Sequence, residues 1–117
     1  PVEDQSEAKQ LLGHARHNKV EAVEELLVRG VDPNVRDDMG NTALAAGAQN
    51  GHKRVVKMCL RYGADPNAAN HHGNTALHFS TSYGYSALSK YLISKGADDT
   101  IINHRGMTCY DGLGEDK

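Results

Sequence analysis

Glycine recurs in this chain with one spacing. Gly30, Gly63 and Gly96 stand 33 residues apart, and so do Gly40, Gly73 and Gly106. Gly51 and Gly84 share that spacing. Longer strings follow the same register. "GNTALA" at 40–45 becomes "GNTALH" at 73–78 and decays to "GMTCYD" at 106–111. "RGVDPN" at 29–34 becomes "YGADPN" at 62–67 and then "KGADDT" at 95–100. A period of this length means stacked supersecondary units, none able to bury its apolar face alone. Composition agrees. Apolar residues make up 38% of 117, with no Trp and one Phe, which suits an elongated core strip of small and aliphatic side chains.

Each period reads as turn, helix, helix. "RDDMGN" and "NHHGN" are turn chemistry, in which Asp and Asn bond their own backbone and Gly supplies positive φ. Thr42 and Thr75 stand where an N-cap hydroxyl starts a short helix rich in small residues, "ALAAGAQN" and "ALHFSTSY". Gly51 and Gly84 end it. The second helix, "VEAVEELLVR", "KRVVKMCLRY" and "SALSKYLISK", repeats its apolar positions three and four apart, as in Val55, Val56, Cys59 and Leu60. Gly30, Gly63 and Gly96 close it, and Pro33 and Pro66 hold the outgoing loop extended.

With "GNTALHF" at 73–79, "GADPNAAN" at 63–70 and the paired glycines in register, the chain resembles the ankyrin repeat family over roughly residues 7–114. The resemblance implies an all-α solenoid of stacked helix–turn–helix units joined by β-turn-like loops. One domain, 1–117, is expected, divided into an N-terminal capping repeat (about 4–36), two well-formed repeats (37–69 and 70–102) and a truncated fourth (103–117) that starts a first helix. Repeat one departs from the pattern, with Glu7 at the Gly position and Leu11 at the Leu position. The opening Pro1 suggests trimming or excision, and the truncated end is either a minimal C-terminal cap or a cut in a longer chain. Uneven repeats argue for natural divergence over a designed consensus. In this family the Thr hydroxyl and His imidazole of "TALH" bond each other and tie adjacent turns, which assigns Thr75 and His78 to structure. Ala45 at the equivalent place removes one such link, a loss of about 1 kcal/mol. That gap and the short last unit mark the C-terminal third as the first part to fray.

Several function classes are excluded or disfavoured. Formal charge is −2, so nothing favours nucleic acid or an anionic membrane. No apolar run is long enough to span a bilayer. GxSxG, P-loop, GxGxxG and HExxH motifs are absent, and Ser80, Thr81 and Ser82 read as helix-packing residues, so no enzyme activity and no cofactor are expected. Cys59 and Cys109 share no CxxC spacing and read as reduced thiols of a cytosolic or nuclear protein. His71, His72 and His104 fall at successive turn tips, expected to lie about 10 Å apart from helix packing. A zinc site there would need ligands converging to about 2 Å, and no Cys or carboxylate is spaced to complete one. Solvated tips are the better reading, and their protonation would make binding pH-dependent between about pH 5 and 7.

The function implied is protein–protein interaction by a monomer, on the concave face of turn tips and first helices. Carried onto this chain, the candidate contacts are Arg16 and His17; Arg36, Asp38, Met39, Asn41, Gln49 and Asn50; His71, His72, Asn74, Ser82 and Tyr83; and His104, Arg105 and Met107. The alternative is a regulatory or targeting segment of a larger multidomain protein whose activity lies elsewhere. Lys53, Arg54, Lys57 and Arg61 make repeat two locally basic. A solvated helix face is the plainer account of that run, and an acidic partner segment the other.

Overall fold

A computed structural model describes residues 3–113. It holds six helices in three antiparallel pairs: α1 (Glu3–Arg16) with α2 (Val20–Val28), α3 (Ala43–Gln49) with α4 (Lys53–Arg61), and α5 (Ala76–Ser82) with α6 (Ser86–Ser94). No strand forms among the described residues. First helices pack on one another, α1 on α3 and α3 on α5, while α2 packs on α4. The result is two layers of helices running along a body of 39 × 27 × 23 Å.

The register of the sequence becomes the register of the core. Leu11, Leu44 and Leu77, spaced 33 apart, are all at most 1% exposed. Leu26, Cys59 and Leu92 form a second buried column in the second-helix layer. Thr42 and Thr75 are N-caps as their position demands. Each side chain accepts from the backbone N–H three residues on, at Ala45 and His78. At the other end of the first helices, Gly51 and Gly84 turn the chain with φ of 72° and 81°. Asn18 does the same in repeat one with φ of 60°, since Asn tolerates the left-handed region better than most residues.

Both ends of the stack depart from the pattern for physical reasons. Repeat one has no turn tip because "EDQSEAKQ" lacks the Gly and Asn chemistry a tip needs. Its first helix simply begins earlier, at Glu3. At the C-terminal end, the expected start of a first helix is a single turn among the described residues, with Asp111 N–H donating to the Thr108 carbonyl at 3.1 Å. Gly112, at φ 102°, leaves the helical region directly after it.

Candidate functional site

The candidate residues fall in two rows, the turn tips and the C-terminal ends of the first helices. One residue closes each tip. Asp37 Oδ1 accepts from the N–H groups of Met39 and Asn41, both at 2.9 Å. Asn70 Oδ1 takes His72 and Asn74 in the same way, and Asn103 Oδ1 takes Arg105 and Met107. The asparagines add a second bond that aspartate cannot make. Asn70 Nδ2 donates back to Asn41 Oδ1 at 2.9 Å, and Asn103 Nδ2 to Asn74 Oδ1 at 2.8 Å. Asp37 instead faces Arg16 at 3.4 Å.

Backbone bonds join the tips directly: His71 N–H to the Met39 carbonyl and His104 N–H to the His72 carbonyl, each 3.0 Å. Neighbouring tips are thus in contact, closer than the 10 Å expected from helix packing. The contact needs glycine. A β-carbon on Gly40 would stand 2.6 Å from His71 Cδ2, and one on Gly73 would stand 2.8 Å from His104 Cδ2. The two imidazoles lie over the preceding tip, exposed yet seated.

Several other candidates are occupied in holding the stack. Arg36 donates to the carbonyls of Gly40 at 2.9 Å and Ala69 at 2.6 Å, clamping its own tip to the next repeat. Asn74 is 7% exposed and committed to Asn103. Asn41 accepts from Asn70, and Asn50 Nδ2 donates to the Ala46 carbonyl of its own helix. Met107 is half-buried. Its carbonyl accepts from His78 Nε2 at 3.0 Å, while Thr75 N–H donates to His78 Nδ1 at 3.2 Å. That pair of bonds fixes the imidazole's tautomer and ties repeat three to the segment after it. The Thr75–His78 reading therefore holds, and Ala45 offers no such group.

A second set is exposed without a side-chain hydrogen bond among the described residues: His17, Asp38, Gln49, His72 and Ser82. Two large apolar side chains stand among them. Met39 is 49% exposed at its tip, and Tyr83, 46% exposed, stacks on Phe79 with centroids 6.4 Å apart. Arg105 is exposed on the last tip. A groove of about 380 Å³ opens between α1 and the second repeat's tip, lined by Lys9, Leu12, Arg36 and Asp38 among others.

The Ser80 hydroxyl is buried and bonded to Ser89 Oγ at 2.7 Å, and Thr81 Oγ1 lies 3.0 Å from the same atom. Burial pushes the Cys59 thiol up to about 12 and raises that of Cys109, so both stay protonated at neutral pH and are poor nucleophiles. Among the described residues no three His, Cys, Asp or Glu side chains are placed to hold a metal ion, and no helix is long and apolar enough to cross a membrane.

Sequence reading missed Asn34 and Asn67. Asn34 Nδ2 donates to the Gly63 carbonyl and its Oδ1 accepts Asp65 N–H; Asn67 repeats both bonds to Gly96 and Asp98. Their recurrence in "DPN" was the available signal. No curated protein matches the chain. The family model described as ankyrin repeats, three copies, matches residues 11–103, the span in which the helix pairs, threonine caps and closed tips recur. The chain belongs to the ankyrin repeat family.

Proposed function

We propose that this chain binds a partner protein on the face made by its turn tips and first helices, the concave side of the stack. Ankyrin repeats in general are protein-interaction modules. The observation that carries the reading to this face is the exposure of Met39 and Tyr83 beside polar side chains the scaffold does not use. Asp38, Gln49, His72 and Ser82 supply hydrogen-bonding groups around the two apolar anchors, the arrangement of a recognition surface with a few dominant contacts. The groove beside Leu12 and Asp38 extends it toward repeat one. His17, Arg16 and Arg105 lie at its borders. Arg36, Asn41, Asn50, Asn74, His71, His104 and Met107 take part by holding the surface in shape.

Site-specific photo-crosslinking tests this. A crosslinker at Met39 or Tyr83 should capture the same partner from lysate. One at Val28, 64% exposed on a second helix, should not. Capture from Val28 alone would move the binding face to the second-helix layer and overturn the proposal. Met39→Ala with Tyr83→Ala should weaken the captured complex by about 2 kcal/mol or more with the fold intact.

A further inference from the structure

The opposite layer carries a second feature. Three ammonium groups converge on one aromatic ring: Lys53, Lys57 and Lys95 place Nζ 5.6, 5.3 and 5.7 Å from the centre of Tyr91. Lys53 and Lys57 come from α4, Tyr91 from α6, and Lys95 from the residue that caps it. Arg61 continues the α4 edge four residues on, and a groove of about 440 Å³ runs between the helices over Leu60 and Tyr91.

Gathering these cations has a cost. Lys53, Lys57 and Arg61 are spaced i, i+4, i+8, an arrangement that repels along one helix edge. The ring's negative face offsets part of it. No carboxylate lies within ion-pair distance of any of the four among the described residues, where the ion pairs are Arg16–Asp37 and Arg29–Glu7. A positive groove with no internal counter-charge and an apolar floor complements an external anion that carries a hydrophobic group. The width of the patch selects among anions. The adjacent second helix, α2, carries Glu21, Glu24 and Glu25, and the whole chain is net −2. A membrane plane or an extended nucleic acid would meet those acids; a short strand of acidic residues would not.

We propose that the groove between α4 and α6 binds an acidic peptide segment, with one apolar side chain seated on Tyr91 and Leu60 and its carboxylates among Lys53, Lys57, Arg61 and Lys95. The test is fluorescence anisotropy on the whole chain with a short fluorescein-labelled peptide of Asp and Glu around a central Leu. Binding should weaken about tenfold in Lys57→Gln/Lys95→Gln and persist in Lys57→Arg/Lys95→Arg and in Lys19→Gln, exposed at the start of α2 and outside the groove. Four results overturn the proposal. They are equal affinity for the same peptide with Asn and Gln in place of its acids, equal weakening by Lys19→Gln, tighter binding to phosphatidylserine vesicles than to the peptide, and self-association that the double Gln variant abolishes. The last would assign the groove to the acidic α2 of a second copy.

Discussion

Repeats two and three share a backbone but seal their helix pairs by different means. In repeat two, α3 and α4 meet through Gly47, where a β-carbon would stand 3.0 Å from Val55 Cγ1 and 3.3 Å from Val56 Cγ2. The seam is apolar and depends on a missing side chain. In repeat three the positions of Gly47 and Val56 are taken by Ser80 and Ser89, hydrogen-bonded at 2.7 Å with Thr81 joining them. There the seam is polar and fully satisfied. The tip side differs in the opposite sense. Repeat three holds its first helix with the Thr75–His78 capping box, whereas repeat two has only the Thr42 hydroxyl. Each unit is locally complete, and complementary chemistry at a position matters more than the residue type found there.

The sharpest way to break this comparison is to exchange one half of a seam. Val56→Ser puts a hydroxyl opposite Gly47, where its ready partner is the His52 carbonyl one turn back, and opens a small cavity; it should cost about 2–4 kcal/mol in urea unfolding. Ser89→Val should cost less, about 1–2 kcal/mol, because Ser80 keeps the Leu77 carbonyl within 3.4 Å. Ser80→Gly combined with Ser89→Val recreates the pairing of repeat two, and a favourable double-mutant coupling of about 0.5–2 kcal/mol is expected. Strict additivity would show that the two seams are not alternatives.

The capping difference yields the next effect. His78→Ala leaves the buried Thr75 N–H without its side-chain acceptor and cuts the link to Met107, at about 1–3 kcal/mol. Hydrogen exchange should accelerate first in residues 103–113, the segment the imidazole holds. Ala45→His offers repeat two the same link to the carbonyl of Asn74, worth about 1 kcal/mol, read as a rise of a few degrees in Tm. No gain in Tm would mean the well-packed Ala45 neighbourhood has no room for the ring.

The smallest effect is at the C-terminal turn. There Asp111 accepts from the N–H and hydroxyl of Thr108, both at 3.0 Å, which holds its carboxyl below the usual carboxylate range. A depressed folded-state value means its contribution is present above the unfolded pKa, about 3.9, and is lost as pH falls through the folded value. Protection of the Tyr110 and Asp111 amides, corrected for intrinsic rate, should therefore drop between pH 5 and 2.5, by under about threefold for so exposed a contact. Asp111→Asn should flatten that drop. An unchanged profile would assign the acid sensitivity to another carboxylate, with Asp98, lowered by Thr100, the first to examine.

These contrasts also mark what could be read from residues alone. Periodic glycines, threonine caps and apolar columns are local or strictly repeated, so the helix pairs follow from spacing, while the Thr75–His78 link came with the family resemblance. Contacts between units are another matter. His71 over Gly40, Asn34 to Gly63 and Lys57 over Tyr91 join positions that only the stacking offset brings together. That is why His71 and His104 read as purely solvated tips, and why the basic run of α4 gave no sign that Tyr91 and Lys95 complete it. The seam of Ser80 and Ser89 was legible only by half. Ser80 was placed as a packing residue and Ser89 was not singled out, because their mutual bond depends on which faces of α5 and α6 meet.

The row of tip amides has a direction, because each asparagine gives its hydrogens to the tip before it and receives the next tip's on the neighbouring Asn. A carboxylate can stand only where no tip amide precedes it, and Asp37, which faces Arg16, is that residue. Copying the unit 70–102 would lengthen the row, since every new Asn70 would find an oxygen to its rear. Copying 37–69 would set the oxygens of a second Asp37 against Asn41 Oδ1 and break it. Of two units that look equally well formed, one is a repeatable part and the other is a starting piece, and a single NH₂ group decides which is which.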